Sequence, residues 1–468
     1  MKNIFASNNL FFVKKFVSVI AVIFVICSPL QASAVAYNIN TNPPGDCVLS
    51  NAANSSTAYT CTNLTLAAGD SLDASEGTTI RINGVFNSAG NNIIKATNNS
   101  NSTAIINIKA VGAISIGAGS VMNAILFSET DIILGENVTL AAGSLESNTG
   151  LIEIGNRGTI RGSIQSNRTQ AAGALQLTVL LGCNMNMTGN IKSIDGWVNF
   201  GYAHDKTTKC INEGSSDSNR PNKLTGTITV DNNVINIGDY AKVTSAEKAT
   251  LKTINGVINV GDHSNIWGTI NTKIGAINVG ASSRVDGSLQ TGSGAITVGN
   301  SSTVTGNIET GIGAITIGND CLVGGNINNK DTSSAGAVTV GTGTVVKGFV
   351  SSNVGAISIG KGSQTGGVSS NTGAVTMCGH AKGSVCTGTA GAITICAGSK
   401  VEGNVTAHDG ALTVEKDATV TGKLKIVGEG DISAASANVI GQDIDSPCRF
   451  QGPVVIIKSR QWRQIFMR

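Results

Sequence analysis

Residues 294–312 read GAITVGNSSTVTGNIETGI, and the stretches on either side, GAINVGASSRVDGSLQTGS and GAITIGNDCLVGGNI, repeat the same scheme. Aligned on the opening glycine, units start at Gly256, Gly275, Gly294, Gly313, Gly336, Gly355, Gly373, Gly391 and Gly410. Their spacings are 19, 19, 19, 23, 19, 18, 18 and 19 residues. Within a unit, apolar residues stand at offsets 2, 4, 10 and 14, and glycine at 0, 5 and 12. In the Gly294 unit these are Ile296, Val298, Val304 and Ile308, with Gly299 and Gly306. Offsets 2 and 4 follow the period of a strand, not of a helix. Each unit therefore holds about three short strands, closed by corners where glycine accepts a positive φ.

No such unit is stable alone. Burying four Ile or Val side chains yields roughly 6–12 kcal/mol, and fixing each of 19 backbones costs about 1–2 kcal/mol. Stacking resolves the deficit, because each coil bonds to the next at roughly 4.8 Å and its side chains join continuous columns. The expected fold is all-β, a parallel β-solenoid (β-helix) with 18–19-residue coils, and general crossover preference predicts right-handed winding. Its core ladder is Ile258, Ile277, Ile296, Ile315, Val338, Ile357, Val375, Ile393 and Leu412. One residue further on, Asn259, Asn278, Thr297, Thr316, Thr339, Ser358, Thr376, Thr394 and Thr413 form an outward polar ladder.

The grid continues upstream, with Gly112, Asp131 and Gly150 each 19 apart, and breaks into GWVNFG, MTGNI and LTGTI around residues 168–232. We therefore expect a solenoid over 105–433 with insertions there, about 17 coils spanning roughly 80 Å. Residues 37–104 fit the grid poorly and are expected to cap the first coil, which otherwise presents an open pairing edge. Residues 1–36 read as a secretory signal: Lys14 and Lys15, the apolar run FVSVIAVIFVICSPL, then small residues at Ala32, Ala34 and Ala36. The alternative, an uncleaved membrane anchor, is opposed by a run of 15 residues, short for a bilayer span. Residues 434–468 form a basic, apolar tail, expected to be a pairing-blocking cap, a docking segment or the remnant of a longer protein.

Charge excludes one class of partner. Loss of three signal lysines takes the net charge from +3 to zero, and five basic residues without acids lie in the last 20 positions. The body is thus net acidic, which argues against a nucleic-acid surface. Apolar residues recur throughout, so disorder is not expected.

The unit GAIxIGxxSxVxGxIxS resembles the polymer-forming, bactofilin-like β-helical repeats of bacteria, over about residues 105–433. The opening PPGDCVLSNAANSSTAYTCTNLTLAAGDSL, followed by such coils, resembles the N-terminal part of MshQ-type MSHA pilus biogenesis proteins. These resemblances imply a solenoid fold and a link to pilus biogenesis. Bactofilins are cytosolic and lack a cleavable signal, so their cytoskeletal role does not carry over.

Without Cys27, nine cysteines remain, and an exported chain can oxidise them. Cys47 with Cys61 and Cys183 with Cys210 are local pairs, each closing a segment off the grid. Cys378 and Cys396 both occupy offset 5 in successive units, where stacking brings them within disulfide range. One thiol stays unpaired or bonds another molecule. A competing metal set, Cys378, His380, Cys386, Cys396 and His408, lacks finger spacing. No catalytic, cofactor or metal residues are expected: Asp262, Asp286, Glu309, Asp320, Glu402 and Asp409 are scattered, without the paired carboxylates of polysaccharide-cleaving β-helices. His263 and His408 adjoin acids in different coils with no third partner evident. The Thr ladder invites comparison with ice-ordering surfaces, though one Thr per strand gives a single row. Trp197 and Trp267 are too far apart for a sugar platform. The expectation is an exported, non-enzymatic structural element, a rigid spacer or adhesion-related part. Its partners would be pilus or envelope components, or other copies joined end to end, with no small-molecule substrate.

Overall fold

The computed structural model describes residues 34–50, 58–97, 104–169, 176–203, 208–210, 222–332, 336–434 and 437–442. The signal segment up to residue 33 and the tail beyond residue 442, including Cys448, lie outside the described residues.

Most described strands are short, and no helix occurs among the described residues. Three strands per coil stack into three ladders. In the Gly294 coil they are Ile296–Val298, Thr303–Val304 and Ile308–Thr310. The first ladder runs in parallel through 18 strands, from Leu64–Leu66 to Ile432–Ser433. At the usual rise its 17 steps span ~80 Å. The second and third ladders belong to one sheet, because in some coils a single long strand, such as Val121–Ser128, turns the corner between them.

The register is the one the repeat predicts where spacing is regular. Ile258, Ile277, Ile296, Ile315, Val338, Ile357, Val375, Ile393 and Leu412 pair in succession and are all buried. Alternation puts their neighbours outside, so one face of each strand makes core and the other makes surface.

Two sequence expectations need correction. First, stacking begins well before residue 105. Leu64, Phe86 and Ile114 pair in the first ladder at separations of 22 and 28 residues, so long corners hide the period in the sequence. Among the described residues of 37–104, the cap is the Val48–Ser50 strand, which runs antiparallel on Ala58–Thr60 and is fastened by Cys47–Cys61, with Ala36–Asn38 laid on Ser71–Asp73. At the other end Asn438–Val439 still pairs with Thr419–Val420, beyond the expected limit of 433. Second, the 19-residue step from Gly112 to Asp131 is out of register by one. Ile114 pairs with Ile132, not Ile133, and Ile132 with Ile152, giving steps of 18 and 20. A one-residue slip exchanges the faces of a strand, and Ile133 accordingly points outward at 39 % exposure.

Candidate functional site

The outward ladder is real and longer than the repeat suggests. Asn199, Asn236, Asn259 and Asn278 stand in register, and each amide nitrogen donates to the preceding amide oxygen at 2.8 Å. Such a chain of amides polarises itself along the stack. Asn199 and Asn236 were legible in WVNFG and VINIG, which share the offset but sit beyond the insertions. Thr297, Thr316, Thr339, Ser358, Thr376, Thr394 and Thr413 continue the row. It is one residue wide, since the flanking Ile296 and Val298 point into the core.

Sequence reading overlooked two inward polar ladders. At offset 8 stand Ser264, Ser283, Ser302, Cys321, Thr344 and Ser363, all buried. Ser264, Ser283 and Ser302 donate to the carbonyls of Gly238, Gly261 and Gly280 at 3.0 Å, and Thr344 and Ser363 to those of Gly318 and Gly341 at 2.8 and 2.6 Å. At offset 16, Thr272, Thr291 and Thr310 donate to the opening carbonyls of Gly256, Gly275 and Gly294 at 3.1, 2.9 and 2.9 Å. These bonds satisfy corner carbonyls that would otherwise be buried unpaired. The signal, hydroxyl residues at constant offsets, was present but resembled ordinary turn composition. Cys321 occupies a hydroxyl site, with Sγ 3.2 Å from the Gly299 carbonyl. It is the free cysteine among the described residues, and burial pushes its thiol up from the usual range, so it is structural and unreactive.

The structure contains the disulfides Cys47–Cys61, Cys183–Cys210 and Cys378–Cys396, with Cα separations of 4.0, 5.5 and 4.7 Å. Cys386 is disulfide-bonded as well. The metal alternative thereby loses its thiolates. His380 instead meets Glu402 at 2.9 Å, where Lys400 and then His380 hold the carboxyl below its usual range, and His408 meets Asp409 at 3.2 Å. Replacing both Cys378 and Cys396 by Ser is expected to lower unfolding free energy by about 3 kcal/mol, from the closed loop of 18 residues. Denaturant titration with and without reductant measures this.

Three of the acids weighed for catalysis make contacts within the scaffold. Asp262 Oδ1 accepts the Ala281 N–H at 2.7 Å, Asp286 pairs with Arg284 at 2.5 Å and Glu309 with Lys330 at 3.0 Å. His263 stacks on Tyr240 with centroids 4.7 Å apart. Trp197 stands on the first ladder and Trp267 on the second, so they share no platform.

A recess of about 220 Å³ opens on the first ladder's outer face between Ile133, Leu180, Glu136, Asn156 and Tyr202. The segment carrying Tyr202 is held by Cys183–Cys210 and by Lys209 on Asp239 at 2.9 Å. Burial, then the Asp239 charge, pushes the Tyr202 phenol up to about 12. The sign is that of a group raised on folding: its contribution is complete below the ordinary phenol value near ~10 and is lost as pH climbs through about 12. Subtracting the ultraviolet titration of Tyr202→Phe from that of the native chain should isolate one late transition. A difference curve centred near ~10 would show the phenol to be solvated.

No protein-family model, curated protein or solved structure matches this chain.

Proposed function

We propose that the chain is a non-enzymatic structural rod of the bacterial envelope or surface, acting as a rigid spacer or adhesion-related element. A link to MSHA-type pilus biogenesis rests on the N-terminal resemblance alone. The observation that carries the reading is the unbroken first ladder of 18 parallel strands. Bending such a rod requires breaking inter-coil hydrogen bonds on one side, so its ends stay at a fixed separation. The polar row along one face keeps that length soluble. The disulfides fit an oxidising, exported setting. No described helix is long and apolar enough to cross a membrane.

A second reading, end-to-end assembly, draws on the exposed Ile432 and Val439 in the last coil, beside strand edges able to pair. The antiparallel Val48–Ser50 strand opposes it on one of the three ladders, because it covers the edge of Ala58–Thr60. Small-angle scattering from the mature chain tests both. A monomeric rod with a longest dimension near ~80 Å is expected from the coil rise. A compact particle would dispose of the spacer, and filaments at high concentration in electron micrographs would favour assembly.

A further inference from the structure

The corner between the second and third ladders is uneven at one coil. In the coil below, Val345 and Val350 bound it, and they pair with Gln364 and Val368, which are one residue closer together along the chain. In the coil above, His380 and Val385 pair with the same Gln364 and Val368 and restore the longer span. The middle corner is therefore one residue short against both neighbours, a bulge on either side of it. Gly366 and Gly367 occupy that corner, so no side chain refills the gap. The result is a recess of about 110 Å³, floored by Thr365 and Gly366, with Gln364 beside it and Lys347 and Lys382 on opposite sides.

Charge distinguishes this recess from the rest of an acidic body. No Asp or Glu stands between Asp331 and Glu402, whereas Lys347, Lys361, Lys382 and Lys400 all do. Lys347 and Lys382 lie in the coils on either side of Gly366, two coil steps or roughly 10 Å apart at the backbone. Both are exposed, and neither ammonium has a hydrogen bond or ion pair among the described residues. The nearest acid, Glu402 in the coil beyond Lys382, is engaged elsewhere, by His380 at 2.9 Å and Lys400 at 2.7 Å. Two unneutralised cations thus face one notch across a floor that carries no anion.

We propose that the notch binds a terminal phosphate group, with Lys347 and Lys382 closing on it from either side and the Gln364 amide as a neutral donor. Two ammoniums match the two charges of such a phosphate, and lysine meets phosphate as a compact point charge. Approach from opposite sides suits a tetrahedral anion, which offers oxygens in several directions, better than a planar carboxylate. The same chemistry is presented by free phosphate and by a phosphate ending a larger molecule, and the open side of the recess leaves room for either.

Isothermal titration calorimetry of the mature protein at low ionic strength tests this, with inorganic phosphate, phenyl phosphate and acetate as probes. Inorganic phosphate should bind at a single site and weaken as salt is added, and acetate should bind far more weakly. Lys347→Gln and Lys382→Gln should each lower phosphate affinity about tenfold. Lys252→Gln, which removes the same charge from an exposed position on the third ladder, should leave it unchanged. Because Lys347 and Lys382 are exposed, both variants should unfold at the native midpoint without phosphate, which separates lost binding from lost folding. Phenyl phosphate binding as well as phosphate would place the group on a larger molecule, and its exclusion would assign the recess to the free ion; either outcome supports the site. No saturable heat with either phosphate, or an equal loss from Lys252→Gln, overturns it.

Discussion

Ile315→Asp should melt the coils on either side of it, with a loss of at least ~4 kcal/mol. Ile315 is fully buried and paired with Ile296 below and Val338 above, so a carboxylate there has neither water nor a cation to meet. The neighbouring Thr316 points outward and is exposed, so Thr316→Asp should cost under ~1 kcal/mol. Because each coil touches only its neighbours, the damage should stay local. Amide exchange should speed up over roughly residues 296–357 and remain slow in distant coils. Equal midpoints for the two variants in a denaturant titration would mean that the faces are assigned wrongly.

Gly275→Ala should lose at least ~3 kcal/mol, although it adds one methyl group. Gly275 has φ 137°, and an added Cβ would press on the Gly256 carbonyl of the coil below, which cannot yield without breaking the stack. Gly362 provides the comparison, with φ 73° and open space where a Cβ would go. Gly362→Ala carries conformational strain alone, about 1–2 kcal/mol. The difference between the two variants measures how closely successive coils approach at the corner. Equal losses would show that the corner has room, contrary to the contact with Gly256.

The inward hydroxyl ladders explain why the sequence tolerates Ser and Thr inside a coil only a few side chains wide. Ser283, for example, donates to the Gly261 carbonyl from within the coil, so this corner acceptor is paired by a side chain. Cys321 can stand in that column because a thiol is similar in size and donates weakly.

Period and polarity alone identified stacked coils, core residues and the outward row from Asn259 to Thr413, because a repeat of 19 with strand alternation leaves each residue one place relative to its copies. The Cys378–Cys396 pair followed from the same reasoning, as two residues at one offset must meet. Where corners vary in length, as from Leu64 to Phe86 to Ile114, the chain lost its visible period while the ladder continued unbroken. Ile132 and Ile133 are chemically alike, and only pairing against Ile114 and Ile152 chose which turned inward. The recess around Tyr202 was likewise set in three dimensions, because it depends on a segment distant in sequence lying over an outward face, an arrangement that no local pattern of residues encodes.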